Sequence, residues 1–491
     1  VTEVICIGGG PAGLTAAYEL SKQGRDVLVM EADPVYVGGI SRTIQVDGFC
    51  FDIGGHRFFS KSQEVVALWQ EILGPQMIKR PRKSRIFYGG KFYPYPLDLR
   101  QTLVNLGFVE SALGGLSYMK AKCFPVRNPK TFEEWVTNQF GARLFNIFFK
   151  TYTEKVWGMS CKEISADWAA QRIKNLSLFS ALKNAFMRSL GFKNKGNKIK
   201  TLIEEFLYPR KGPGMMWEAA ADQIRKRSGR VELGRAVTSL SYDKDAKLWE
   251  VQYRDVKTGD TAIVHATHII STMPLRDLVH AVKDSPEKVR NAANKLRYRD
   301  FLTVALAIVD RQKFDDNWIY IHSPEVKVGR IQNFKSWSPE MVPDQSLTCY
   351  GLEYFCFEGD GLWNSSDSEL VKLATQELDK IGLGSAADVR KGYVVRQPKA
   401  YPVYDQEYQE YVDIIRNWLA SSCPNLQVVG RNGMHKYNNQ DHSMMTAMLA
   451  VKNIIAGEPK YDVWCVNQDA EYHEAGSSGA TGERLVPSQV K

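Results

Sequence analysis

Val4-Ile5-Cys6-Ile7-Gly8-Gly9-Gly10-Pro11-Ala12-Gly13 carries a short apolar strand straight into a glycine turn. A second apolar run, Val27-Leu28-Val29-Met30, ends on Glu31. Strand, turn, helix, strand and acid follow within about thirty residues, the order of a dinucleotide-binding βαβ unit. Gly8 permits the tight turn, Gly10 lets the backbone approach a pyrophosphate, and Gly13 lets the helix lie close to the strand. The helix opening at Pro11 and Ala12 turns its N-terminal amides toward phosphate charge. Glu31 sits where a ribose hydroxyl needs an acceptor. The stretch says that a dinucleotide binds, and leaves open what the bound cofactor does.

A second glycine element, Gly38-Gly39-Ile40-Ser41-Arg42-Thr43, and then Asp52-Ile53-Gly54-Gly55-His56 read as loops around two short strands, Thr43–Val46 and Phe49–Asp52. Arg85-Ile86-Phe87-Tyr88 and Lys91-Phe92-Tyr93-Pro94 flank Gly89-Gly90, a hairpin signature. Apolar residues recur at helical spacing near 65–75 and again from Leu99 to about Met187. Gly212-Pro213-Gly214 breaks that pattern before a helix near Met215–Lys226. Strands begin at Val231 and Ala236 and run on to His268–Thr272, and Phe301 to about Val395 alternates strands with loops as an antiparallel sheet does. A strand at Leu426–Gly430 and a helix from about His442 to Ile455 follow, and the polar residues after Tyr461 are expected to fray. Nucleotide-binding pieces thus recur at the start, middle and end. The domains expected are a discontinuous Rossmann-like one (1–80, 205–275 and 425–457), a helical one (97–204), an antiparallel-sheet substrate domain (81–96 and 276–424) and a polar tail (458–491).

With 491 residues the chain has room for two or three domains, and 44% hydrophobic and 24% charged residues are ordinary for a globular protein. No apolar run approaches the ~20 residues of a membrane span, and the sequence enters a strand at once, so neither a transmembrane segment nor a signal peptide is expected. The eight cysteines form no CxxC pair and no metal-ligand spacing. They read as reduced thiols of a cytoplasmic enzyme without a bound metal. Much of the net charge of +9 is local, as in Lys193, Lys195, Lys198 and Lys200. The apolar, basic stretch from Leu178 to about Lys200 reads as plain surface, as a cover for an active site, or as a peripheral contact with an anionic membrane. No motif points to nucleic acid.

Three separated stretches, Gly8–Gly13, His268–Thr272 and Gly430–Ser443, resemble the FAD-binding scaffold shared by amine oxidases, phytoene desaturases and UDP-galactopyranose mutases. Gly54-Gly55-His56, Pro94-Tyr95-Pro96, Pro129–Trp135, Lys155-Val156-Trp157 and Asn439-Gln440-Asp441-His442-Ser443 look like the mutases in particular. The resemblance covers about residues 3 to 457. It implies an α/β fold in which a Rossmann-like FAD-binding domain is interleaved with a helical domain and an antiparallel sheet. It also implies a redox-neutral pyranose–furanose isomerisation of a nucleotide sugar, a UDP-hexose before others. Reduced FAD acts there as the nucleophile, and NAD(P)H is the reductant that primes it.

By the same resemblance Arg210 and Arg330 hold the diphosphate, a task that suits a fork of fixed charge. His56 lies beside the flavin with a pKa near neutrality. The cofactor contacts implied are Gly8, Gly10, Pro11, Ala12, Gly13, Glu31, Gly39, Ser41, Arg42, Gly55, His56, Val237, Thr272, Gly430, Arg431, Asn439, Gln440, Asp441 and Ser443. Tyr95, Trp157, Tyr320, Tyr401 and Tyr437 join the two arginines on the substrate side. The chain departs from the pattern at Leu97-Asp98, where the family has a glutamine, at Thr153 for an asparagine, and at Trp337 for a tyrosine. These changes point to a shifted base or sugar preference. The same scaffold also serves oxidases that take hydride onto oxidised FAD, which stands as the alternative.

Overall fold

The computed structural model describes residues 1–95, 99–166 and 205–467. Asp98, the stretch from Leu178 to Lys200 and the tail beyond 467 lie outside them, and so do the specificity, cover and membrane readings that rest on those residues.

Two large sheets organise the chain. In the first, Thr2–Ile7 lies between Val27–Glu31 and Thr261–Ser271, with Arg230–Leu233 and Leu426–Val428 on the outer flanks. All these pairings are parallel, which is why Val4-Ile5-Cys6-Ile7 and Val27–Met30 are continuous apolar runs buried on both faces. Thr261–Ser271 is long enough to serve twice. Its C-terminal part joins the parallel sheet, and its N-terminal part pairs antiparallel with Leu248–Asp255, itself paired with Arg235–Asp243.

Helix Pro11–Lys22 packs against helices Gly214–Lys226 and Gln440–Ala456. The last of these is apolar almost all round and correspondingly buried along most of its length. It begins two residues before the His442 expected from the sequence, with Asn439 as its N-cap. The core under this sheet also takes in Leu278, Val289, Ala293, Ile415 and Leu419, from segments that the sequence groups with the second sheet. Packing continues past 457: Val463 and Val466 are buried, and Lys436 Nζ donates to the carbonyls of Trp464 and Val466. The expected fraying therefore does not begin at Tyr461.

The second sheet runs Val389–Pro402, Tyr298–Val309, Leu347–Cys356, Arg330–Asn333, Trp318–Ile321, Ser84–Tyr88, Lys91–Pro94. It is antiparallel except where Trp318–Ile321 meets Ser84–Tyr88 in parallel. Leu370, Ala374 and Leu378 of helix Asp367–Lys380 pack into its core. That helix lies inside the span read as strands and loops; its signal was the capping box of Ser366 and Glu369. Strand Glu205–Pro209 pairs with Met77–Pro81 in a separate ribbon, outside the Rossmann-like sheet.

Helices Phe108–Cys123, Phe132–Phe140 and Thr151–Trp157 belong to the helical part, whose core is Phe132, Val136, Phe140, Phe145 and Trp157. Two cations fasten it to the second sheet. Arg299 donates to the carbonyls of Val156, Lys155 and Phe355, and Lys155 Nζ donates to those of Ile321, Ser323 and Val328.

Candidate functional site

The glycine turn is built as the sequence requires. Gly8 has φ +98°, a Cβ there would lie 2.1 Å from Thr272 Oγ1, and a Cβ on Gly13 would lie 1.9 Å from the Gly8 carbonyl oxygen. Thr272 Oγ1 donates to the Ile7 carbonyl at 2.8 Å and pins the neighbouring strand end. Gly39, at φ +54°, faces Gly10 so closely that its Cβ would sit 3.3 Å from Gly10 Cα. Two glycine loops thus oppose each other at the opening of helix Pro11–Lys22, with bare backbone on both sides.

Glu31 accepts from Gly9 N at 2.5 Å and from Asp33 N at 2.8 Å, so it braces the turn while keeping lone pairs for a hydroxyl. Burial raises its pKa, and the two amides oppose that rise. Arg42 donates through Nη1 to the Gly39 carbonyl at 2.9 Å and to Gln397 Oε1 at 2.6 Å, leaving its buried Nε without a hydrogen-bond partner. Gly430, donating to Thr446 Oγ1 at 3.0 Å, sits against Ala12 and seats the last helix on the first. Ser41 and Ser443 are buried, and Val237 lies at a bulge in its strand.

Farther along, Gly54-Gly55-His56 crosses over the second sheet. A Cβ on Gly54 would lie 3.6 Å from Arg330 Nη2, and one on Gly55 would lie 3.0 Å from Gln332 Nε2. Arg330 Nε donates to Glu353 Oε2, Gln332 Nε2 donates to Glu353 Oε1 at 2.9 Å, and Trp337 Nε1 donates to Gln332 Oε1 at 2.9 Å. Burial works against the charge on Arg330, but the Glu353 carboxylate and the surrounding tyrosines together outweigh it and hold the guanidinium well above its ordinary pKa. Tyr152, Tyr401 and Tyr320 stand within electrostatic reach of the same guanidinium. Tyr401 stacks on Tyr437 with ring centroids 5.6 Å apart, and Arg431 lies 5.2 Å and 5.1 Å from the two centroids. Tyr320 meets Tyr95 at 4.9 Å and Tyr152 at 5.3 Å. His56, Arg330, Arg431 and five tyrosines therefore share one cationic, aromatic cleft.

His56 differs from the expectation of a near-neutral pKa. Desolvation, with Arg431 and Arg330 nearby, pushes its imidazole down to about 3. Its Nδ1 is buried without a partner, as is Gln440 Oε1, while Gln440 Nε2 donates to the Arg57 carbonyl at 3.0 Å. Because the folded pKa lies below the unfolded value of 6.5, the native state refuses a proton that the unfolded state accepts. Stability owed to neutral His56 is complete above pH 6.5 and falls as pH drops toward 3. The unfolding free energy of His56→Gln is expected to decline less steeply than that of the parent over this window, by up to about 1.4 kcal/mol per pH unit, and its Tm correspondingly less. Parallel Tm–pH curves would show that His56 titrates normally.

Two predicted residues stand apart. Arg210 directly follows strand Glu205–Pro209 and pairs with Glu340 at 2.8 Å, with 43% of its side chain exposed; among the described residues no hydrogen bond or ion pair joins it to Arg330. Trp157 is a buried member of the helical core, with Tyr437 packed against that core, and so backs the cleft instead of lining it openly. Asn439 caps the last helix, its N–H donating to His442 Nδ1 at 3.2 Å, and Asp441 is buried in the first turn. Sequence reasoning missed Glu353, Gln332 and Tyr152. The available signal was a lone carboxylate in the middle of the apolar strand Leu347–Cys356, which demands a buried partner.

Among the described residues no helix is long and apolar enough to cross a membrane, and no group of three or more His, Cys, Asp or Glu side chains could hold a metal ion. A crystal structure of a reduced UDP-galactopyranose mutase superposes with a TM-score of 0.78 at 21% identity, covering 93% of this chain and 96% of that one. A likeness at that identity shows the fold, which is the mixed α/β architecture expected. A probable UDP-galactopyranose mutase of Klebsiella pneumoniae is 26% identical over 33% of this chain and 43% of its own length. Protoporphyrinogen oxidase 2 of Arabidopsis thaliana is 23% identical over 84% of this chain and 86% of its own. The first curated relatives are matched over about half of their length or less. The residues present fit a flavin dinucleotide: bare glycine backbone at Gly10 and Gly39 for the pyrophosphate, Glu31 for the ribose, and the unpartnered His56 Nδ1 and Gln440 Oε1 toward the ring. Residues 11–442 match the family described as flavin containing amine oxidoreductase, and the chain belongs to that family.

Proposed function

We propose that this protein is a flavin-dependent mutase of nucleotide sugars, with a UDP-hexose as the leading substrate. The observation that carries this reading is Arg330, buried and ion-paired to Glu353 in a tyrosine-walled cleft beside the His56 loop. Arg330 and Arg431, two guanidiniums set against the one Glu353 carboxylate, leave the cleft net positive. Such a cleft suits an anionic diphosphate and repels the ammonium group of an amine substrate. Bound FAD supplies, once reduced, the electron-rich centre toward which the anomeric carbon is presented; NAD(P)H is the proposed reductant and the cytoplasm the proposed location.

The chain's own groups do the rest. Arg330 binds the diphosphate and stabilises the charge that develops as it leaves, its fork held in place by Glu353, which is fully buried. Tyr320, Tyr401 and Tyr437 present hydroxyls and ring faces to the sugar, and Tyr95 meets Tyr320 at the nucleotide side. His56 stays neutral, so one imidazole nitrogen donates and the other accepts at the flavin edge. Closely packed tyrosines exclude water from the reacting carbon.

The experiment is anaerobic: the holoprotein reduced with dithionite, offered a panel of nucleotide sugars, and assayed for ring-size isomers by chromatography. The expected result is isomerisation through many turnovers with no stoichiometric loss of reductant. Absence of any isomer, with oxygen uptake in a parallel aerobic assay matching oxidation of a non-sugar substrate, would transfer the assignment to an oxidase. The match to protoporphyrinogen oxidase 2 over most of the chain is the observation on that side.

A further inference from the structure

Helix Phe108–Cys123 wears its amphipathic pattern inside out. The side turned to protein is small: Gly114 packs on Leu144, Ala121 is buried, and the Ser117–Tyr118 backbone passes so close to Gly141 that a Cβ there would lie 2.7 Å from Tyr118 N. The side turned away carries Phe108, Val109, Leu113, Leu116 and Met119, and Phe124 extends it past the last turn. Phe108 is 90% exposed and Phe124 79%. Among the described residues, eight of the thirteen exposed large apolar side chains fall between 104 and 126, so this is one patch and not scatter. Residues 108, 112, 116, 119 and 123 follow helical spacing and share that face.

The charges around the patch are predominantly positive, with Glu134 beside Lys130 the nearest carboxylate other than Glu110. Lys120, Lys122, Arg127 and Lys130 are exposed beside it, while Glu110 is engaged by Arg143 at 2.6 Å. A second copy docking about a two-fold axis would bring these cations against their own images. An anionic surface neutralises them instead. We propose that this face docks on an anionic lipid surface, with Phe108, Leu116, Met119 and Phe124 entering the acyl boundary and Lys120, Lys122 and Arg127 remaining among the headgroups. Helix Phe108–Cys123 would then lie in the plane of the interface. The proposal is independent of the reaction assigned above.

The test uses the full-length FAD-loaded protein and sedimentation with vesicles of phosphatidylcholine alone or mixed with phosphatidylglycerol. Binding to the mixed vesicles is expected to be at least about tenfold stronger, and to weaken with added salt. Phe108→Ser with Phe124→Ser should reduce it by about tenfold or more. Lys120→Glu with Arg127→Glu should remove the preference for the anionic vesicles. All these side chains are exposed, so flavin content and Tm should stay at the parent values. A polarity-sensitive thiol probe on Cys123, exposed at the end of the helix, should shift to the blue on binding in a Cys465→Ser background. Three results would overturn the proposal: equal or absent sedimentation with both vesicles, a dimer by light scattering that the two serine substitutions dissolve, or slow labelling of Cys123 without vesicles, which would mean that the chain covers the face itself.

Discussion

Arg330→Ala is expected to lower stability by about 3–5 kcal/mol and to abolish nucleotide-diphosphate binding. The loss is large because Glu353 is fully buried and would be left without a counter-ion, so it must either carry an unpaired charge or take up a proton. Burial already raises the Glu353 pKa, with Arg330 and Gln332 opposing it, and removing Arg330 raises it further. The sign follows. With a folded pKa above its unfolded value, Glu353 in the variant is tolerated when protonated, so the variant loses stability as pH rises through the folded pKa. Urea unfolding at several pH values should show this slope, and adding Glu353→Gln should flatten it and recover part of the stability. Arg330→Lys should keep charge while losing the fork, and bind nucleotide diphosphate more weakly than the parent. Arg210→Ala offers the contrast: a half-exposed pair with Glu340 contributes at most about 1 kcal/mol, and calorimetry should find diphosphate affinity nearly unchanged. Equal loss of affinity in both variants would restore Arg210 to the substrate site.

Gly13→Val should yield protein without flavin, if it folds at all. Even the first atom of the new side chain would fall 1.9 Å from the Gly8 carbonyl oxygen. That obstacle is backbone in the tightest part of the turn, so relief requires moving helix Pro11–Lys22 away from its strand. A loss above about 3 kcal/mol is expected, with flavin absorbance missing from the purified protein and a lowered Tm. Gly115→Ala is the control. Nothing lies within 4 Å of its added carbon and its backbone is helical, so it should be neutral or stabilise by about 0.5–1 kcal/mol. Normal flavin content in Gly13→Val would contradict the packing described for this turn.

These two residues also mark how far the sequence could be read. Gly8, Gly10 and Gly13 answer to demands met within a few residues of each other, so their spacing shows what they do. The same holds for Gly89-Gly90, whose positive φ values close the hairpin of Ser84–Tyr88 and Lys91–Pro94. The cleft is a different matter. Arg330, Glu353, Tyr152 and Tyr401 come from distant segments and meet only because the second sheet places Arg330–Asn333 beside Leu347–Cys356 and the helical part is fastened over them. Tyrosine fills cores as readily as it lines pockets, so neither Tyr152 nor the buried setting of Trp157 follows from residue type. His56 was legible as a loop histidine beside two glycines. Its depressed pKa was not, because Arg431 and Arg330 reach it only in three dimensions.

The first sheet has a consequence for the protein's synthesis. Thr2–Ile7 leaves the ribosome well before the strands that complete its sheet: its neighbour Thr261–Ser271 follows more than 250 residues later and the flanking Leu426–Val428 more than 400 residues later. At ordinary elongation rates the gap between first and last strand is roughly 20–80 s. For roughly 10–50 s of it, until Thr261–Ser271 has been made, one edge of Thr2–Ile7 is unpaired and the glycine turn lacks Thr272, and the Gly430 seat comes later still. Cofactor capture thus waits until Gly430 has been made. Until then the nascent chain carries an open strand edge that a chaperone must shield or that another nascent chain can pair with.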